Sequence, residues 1–254
     1  MRRGLRTGLD GASLAMSMFS VAPVRARSTG RDAAGVAIAL APLVGALVGV
    51  LAGLTARGVA ALGGPALLAG FLAVGVAAAA TRGMHLDGLA DLADGLGCYG
   101  PSERMLAVMR DPSTGAFGVI ALVLALGVQA AALGGISPHG PVGAVVALAL
   151  GRVAFAWSAR RGVPAASPDG LGALVAGSVA PWVAPLWTVV LAAAAVVAVP
   201  GRWWLGPVAV ALGALAVVAL AAHARRRLGG VSGDVFGATC EVGVTVCLAT
   251  LALG

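Results

Sequence analysis

The run AAGVAIALAPLVGALVGVLAGL, residues 33–54, carries no charged side chain over 22 positions. About 20 apolar residues in a helix cross the hydrocarbon core of a bilayer, with a range of roughly 17–25. The run therefore reads as a membrane span. Inside it Ala41, Gly45, Gly49 and Gly53 recur at every fourth residue, a stripe of small side chains that lets helices approach closely. The stripe speaks of packing and not of chemistry. Working outward, comparable runs lie near 65–81, 117–136, 141–158, 180–199 and 205–223, with a shorter one near 240–254. The whole chain is 59% hydrophobic and 11% charged, where a soluble domain is about a quarter charged. These runs predict an all-α, polytopic transmembrane helical bundle of six to seven spans, forming one integral-membrane domain over residues 1–254. No repeat at a fixed period of 20–50 residues and no pair of matching halves is present.

The segment before the first long run has a basic start, a weakly apolar middle and a small-residue end, in the manner of a signal peptide. Asp10 interrupts its apolar stretch, and arginines crowd the cleavage position. Residues 1–31 are better read as an interfacial segment, helical from about Leu9 to Phe19 and anchored by arginine. Arg2, Arg3, Arg6, Arg25, Arg27 and Arg31 precede the first span, which places that side in the cytoplasm by the excess of positive charge. With alternating spans, Arg82, Arg104, Arg110, Arg160, Arg161 and Arg225–Arg227 fall on the same side. Only Arg57 and Arg202 fall opposite, and Arg152 lies inside a span. All acidic residues then sit at the inner face, which predicts a multi-pass protein of the cell inner membrane with cytoplasmic active-site helices and loops. The net charge of +7 is no mark of nucleic-acid binding, because the few aromatics do not interleave with the arginines. Cys98, Cys240 and Cys247 show no pairing framework and read as free thiols.

Five of the ten acidic residues fall within residues 82–118, RGMHLDGLADLADGLGCYGPSERMLAVMRDPSTGAFG. Asp87, Asp91 and Asp94 stand at i, i+4 and i+7, within roughly 60° on one face of a helix. Like charges so placed repel, and a shared cation relieves them. Oxygen donors without histidine or cysteine clusters suit Mg²⁺ or Mn²⁺ better than zinc. Gly88 and Gly95 leave room beside that face for a bulky ligand or a close backbone. His85 opens the helix and is a candidate base or phosphate ligand, although a lone boundary histidine is more often a polar anchor. Glu103 and Arg104 read as a solvated helical surface. Arg110 and Asp111, followed by Pro112-Ser113-Thr114-Gly115, form a turn with a phosphate-facing cation.

A second motif, GGVSGDVFGATCE at 229–241, sets Gly229, Gly230, Ser232, Gly233 and Asp234 ahead of a helix start. Backbone amides in such a loop cradle phosphate. Glu241 and Arg152 are charges within apolar sequence that need partners. They pair with each other on one reading and face substrate on the other. The stretch SPDGLGAL, 167–174, is a turn at the mouth of the site. His139 and His223 are boundary residues with no assigned role.

HLDGLADLADG (85–95), RMLAVMRD (104–111) and GGVSGDVFGA (229–238) followed by Glu241 together resemble the cobalamin synthase family, also called adenosylcobinamide-GDP ribazoletransferase. APLVGALVG (41–49), GRVAFA (151–156) and DGLGAL (169–174) follow the family in the same order, so the likeness covers nearly the whole chain. The resemblance implies a Mg²⁺-dependent inner-membrane enzyme of the vitamin B12 nucleotide loop. Such an enzyme joins adenosylcobinamide-GDP to α-ribazole or its 5′-phosphate and releases GMP. It also implies Asp87, Asp91 and Asp94 as metal ligands, Asp234 with the 229–234 loop on phosphate or a second metal, and Arg110 and Arg152 offsetting charge. The family's Arg-Asp-Ser-Arg is Arg110-Asp111-Pro112-Ser113 here, which removes one cation, and a second family Glu is replaced by Val244. Two other classes remain: a membrane alcohol phosphotransferase acting on a nucleotide-activated lipid, and an ion-coupled transporter. The first lacks its Asp-Gly-x-x-Ala-Arg element, because Asp87-Gly88 is followed by Leu89-Ala90-Asp91. The second requires midplane carboxylates in related halves. Self-association, or association with other nucleotide-loop enzymes, is left open by the sequence.

Overall fold

The computed structural model describes the backbone of residues 2–254 and the side chains from residue 6 onward. Its helices in chain order are α1 (Arg2–Phe19), α2 (Arg31–Ala61), α3 (Ala66–Ala80), α4 (Met84–Gly97), α5 (Ser102–Val108) and α6 (Ala116–Ile136). They continue with α7 (Val142–Ser158), α8 (Gly170–Val175), α9 (Val183–Ala194), α10 (Leu205–Leu228) and α11 (Gly233–Leu251). An all-helical bundle follows from the composition, since only helices and closed barrels satisfy every backbone group in lipid. Belts of large apolar side chains face outward, including Leu43, Leu47 and Leu51 on α2 and Ile120, Val123 and Leu124 on α6. Such an apolar exterior is the surface that lipid covers.

The expected all-helical architecture is found, and four to five of the expected six to seven spans meet the length and hydropathy of a crossing. Among the described residues, four helices are long and apolar enough to cross a membrane: α2, α6 with the short turn after it, α10 and α11. By the same measure α3 and α4 together would make a fifth, and these are bent by 94°. The expected spans at 141–158 and 180–199 fold as shorter apolar helices, α7 and α9. Apolar composition alone cannot see these breaks. At 1.5 Å per residue, α7 covers about 25 Å of a roughly 30 Å core. The run at 180–199 loses its first residues to a turn and its last to a 3₁₀ segment, Ala195–Val197. In contrast, the last helix is longer than expected, because α11 begins at Gly233.

The small-residue stripe packs α2 onto α7. A Cβ placed at Gly45 would come 2.5 Å from the carbonyl oxygen of Leu148, and one at Gly49 would come 2.6 Å from Cα of Val145. α1 extends the expected N-terminal helix back to Arg2 and lays Leu14, Ala15 and Phe19 into the core against α2. α10 ends at Gly229, whose left-handed φ of +80° lets its amide reach the carbonyl of Arg225. Arg225, Arg226 and Arg227 fill the last turn, where positive charge complements the helix dipole.

The element that positions the site is the elbow between α3 and α4. Arg82 and Gly83 both take positive φ, +57° and +66°, and turn the chain sharply. α4 leaves the direction of α3 and packs across α11 and α6. It lies outside the four membrane-crossing helices.

Candidate active site

Gly88 and Gly237 bring α4 and α11 into backbone contact. A Cβ at Gly88 would stand 2.9 Å from both Cα and the carbonyl oxygen of Asp234, and one at Gly237 would stand 3.0 Å from the carbonyl oxygen of His85. Of the two readings for Gly88, close backbone is what the structure shows. Gly95 instead makes room for the side chain of Met109. This approach sets the face of α4 that carries Asp87 and Asp91 beside Asp234, in the first turn of α11. Burial pushes the Asp91 carboxyl up to about 6, and the negative charges of Asp87, Asp234 and Asp94 add to the effect. The four acids therefore act on one another's charge. Among the described residues, however, no three His, Cys, Asp or Glu side chains close into a ready-made metal cage.

Asp94 is held differently from the other two. Its carboxylate accepts from the amides of Gly115 at 2.7 Å and Gly118 at 2.9 Å, at the start of α6. These are amides that a helix N-terminus leaves without intrahelical partners. Asp94 thus caps α6 from another helix and ties the loop after α5 to the acidic face.

A cavity of about 580 Å³ opens beside this face. Its walls come from Met109 and Arg110 after α5, Ser167 and Asp169–Gly172 at α8, and Val231–Asp234 at the start of α11. The stretch 167–174, expected as a turn, instead folds from Gly170 onward as α8, and its first residues line this cavity. The Gly-rich motif works through backbone geometry. Gly229 ends α10, Gly230 leaves no space for a side chain against Ala165 and Ala166, and Val231 bridges Ala165. Ser232 then caps α11 by accepting from the amide of Val235 at 3.4 Å, while its hydroxyl donates to Asp234 Oδ2 at 3.3 Å. The N-terminus of α11 thus faces the cavity with the positive end of its dipole. Arg110, exposed on the opposite wall, donates to Ser167 Oγ at 3.3 Å. Asp111 lies in an exposed turn, where the hydroxyl and amide of Ser113 donate at 2.5 and 2.8 Å. These bonds hold its carboxyl below the ordinary value.

A second cavity of about 130 Å³ shares Leu171, Gly233 and Asp234 with the first, and adds Asp87 and His85. His85 is buried, and its Nε2 has no hydrogen-bond partner. Burial, together with the nearby charge of Arg152, pushes its imidazole well below the usual pKa, so the ring is neutral. Arg152 and Glu241 lie apart from both cavities, on a pocket of about 20 Å³ inside the bundle. There Arg152 donates to the carbonyl of Leu148 at 3.2 Å, and Glu241 accepts from Gln129 Nε2 at 2.8 Å. Gln129 was missed by sequence reasoning, although an amide in the middle of an apolar span was a visible signal. The aromatic wall of the second cavity was also missed, because its members come from four helices far apart in sequence.

Comparison with known proteins agrees with the motif order. The chain is similar to the adenosylcobinamide-GDP ribazoletransferase of Frankia casuarinae, at 38% identity over 95% of this chain and 94% of that one. It is similar to the enzymes of that name from Corynebacterium efficiens, at 36% over 93% and 89%, and from a Nocardioides species, at 38% over 94% and 96%. No solved structure matches the chain. A family profile described as cobalamin-5-phosphate synthase matches residues 11–252. The chain belongs to the cobalamin-5-phosphate synthase family.

Proposed function

We propose that this protein transfers the cobinamide-phosphate moiety of adenosylcobinamide-GDP to a ribose hydroxyl of α-ribazole or its 5′-phosphate, releasing GMP. The single observation that carries the reading is Asp234, which lines both cavities beside Asp87 and Asp91. A diphosphate in the large cavity and an alcohol in the small one would meet at that carboxylate. The names and coverage of the relatives support the same substrates.

The donor set fits Mg²⁺. Asp87, Asp91, Asp94 and Asp234 offer only oxygen, and the repulsion that adds to burial in raising Asp91 is what a divalent cation relieves. Asp87 and Asp91 are the carboxylates with the freest oxygens to hold it, since both oxygens of Asp94 already accept backbone amides. When bound, the ion would neutralise diphosphate charge and stabilise the departing phosphate oxygen. The α11 N-terminus and Arg110 hold the diphosphate and set its phosphorus toward the shared wall. The hydroxyl proton passes to Asp234 as the oxygen bonds to the phosphorus next to cobinamide. The bond from that phosphorus to the bridging oxygen breaks, and the bridging oxygen leaves on GMP. Arg152 and Glu241 act at a distance, fixing α7 and α11 within the bundle.

The apolar belts and arginine distribution support a multi-pass protein of the cytoplasmic membrane with this face toward the cytoplasm. In this reading α3, α7 and α9 complete the crossings beside the four long helices. Purified protein supplied with adenosylcobinamide-GDP and α-ribazole should release GMP in proportion to the new phosphodiester, and only with Mg²⁺. Release of CMP from a CDP-activated lipid, without GMP from the first pair, would favour the alcohol phosphotransferase reading instead.

A further inference from the structure

Three of the five phenylalanines in the chain meet at the second cavity, on α1, α7 and α11. Phe155 stacks on Phe19 with centroids 5.0 Å apart and meets Phe236 edge-on at 6.1 Å. His85, from α4, tilts against Phe155 at 5.3 Å. Four helices thus build an apolar slot, closed on another side by Ile38, and keep it open at about 130 Å³. A core whose only task is cohesion fills such a space, because voids forfeit contact energy. Apolar cavities on the order of 150 Å³ accept a single aromatic ring. The slot has one unanswered polar group at depth, the buried Nε2 of His85. Its rim, by contrast, carries Asp87 and Asp234 and merges with the large cavity.

We infer that this slot is the binding site for the planar aromatic base of the alcohol substrate, with His85 Nε2 donating to an unsubstituted ring nitrogen. The inference rests on the transfer reading above and gives it a specificity element. A benzimidazole-type base presents two flat apolar faces and one acceptor nitrogen, which matches aromatic walls and a single donor. With the ring inside, the sugar lies at the rim, where its hydroxyl meets Asp234. A purine bearing an exocyclic amine would bury polar hydrogens against phenylalanine without partners, and the slot discriminates against it. His85 is thus a substrate-touching specificity residue and has no part in the proton transfer.

The test compares α-ribazole with its deaza analogue, an indole riboside that lacks the acceptor nitrogen, using the full-length protein in detergent with Mg²⁺. The wild type should favour α-ribazole in KM by about fivefold, the scale of one hydrogen bond. His85→Leu should erase that preference. Ile38→Phe, which fills the slot, should raise KM for α-ribazole about tenfold while leaving KM for adenosylcobinamide-GDP unchanged. Retained discrimination in His85→Leu, or equal shifts in both KM values for Ile38→Phe, overturns the inference. Should either variant fail to fold, equilibrium binding of the two ribosides to the wild-type protein alone decides, and equal affinities overturn it. That binding measurement needs no turnover. Preferential riboside binding without GMP release under any condition would uphold the slot and sink the transfer reaction.

Discussion

Asp87, Asp91 and Asp234 differ in what each can lose. Asp87 is the most exposed and has no capping duty, so Asp87→Asn should leave the helical signal in circular dichroism unchanged. It should raise the Mg²⁺ concentration for half-maximal GMP release at least about tenfold. Asp234→Asn removes the proton acceptor and should lower turnover by about 10²–10⁴-fold at saturating Mg²⁺. Asp91 carries a pH dependence whose sign follows from its raised pKa of about 6 against an ordinary 3.8. The folded state binds the proton more tightly than the unfolded chain, so ionising Asp91 costs stability as pH rises from about 4 to 6. Mg²⁺ offsets that cost only when the carboxylate is ionised. The gain in thermal midpoint on adding Mg²⁺ should therefore be larger at pH 7.5 than at pH 5, and a gain independent of pH would count against Asp91 as a ligand. The spacing of these acids was legible in the sequence because one helix carries three of them. The nearness of Asp234 was not, since it depends on Gly88 and Gly237 meeting across two helices.

At the scale of helices, the contacts that matter are made by what is missing. Gly88→Val would drive side-chain atoms into the Asp234 backbone. It should destabilise the protein by about 1–3 kcal/mol and part α4 from α11, lowering activity even though no acid is changed. Ser232→Ala removes the cap of α11 and should cost about 1 kcal/mol, read as a drop in thermal midpoint in detergent. Its effect on KM for adenosylcobinamide-GDP should exceed that on KM for α-ribazole, because the cap orders the wall nearest the diphosphate. Helix existence was readable from apolar runs, and α2, α6 and α10 follow them closely. Helix ends were not. The run at 180–199 is interrupted by backbone turns that cost nothing in composition, and α11 begins in a polar motif that a hydropathy window discounts.

At the scale of the whole molecule, the arginine distribution and the aromatic anchors describe the same slab. Trp182 before α9 and Trp203 after it are 64% and 68% exposed, near opposite ends of that helix, as interfacial aromatics would be. A native thiol allows the orientation to be checked. Cys98 is half-buried at the end of α4, whereas Cys240 and Cys247 are fully buried in α11. A membrane-impermeant maleimide should label intact cells or right-side-out vesicles poorly and inverted vesicles well, with Cys98 as the modified site. Labelling from the outer side would reverse the proposed topology.

The double amide grip of Asp94 on Gly115 and Gly118 changes how a mutational scan of the acidic motif should be read. This carboxylate fastens one helix to the threshold of the next, so its removal loosens the doorway as well as the charge. Position 94 will score as indispensable for reasons of assembly, and its tolerance should depend on the residues chosen at 115 and 118. Positions 87 and 91 carry no such second duty, and their phenotypes are the ones that report on chemistry.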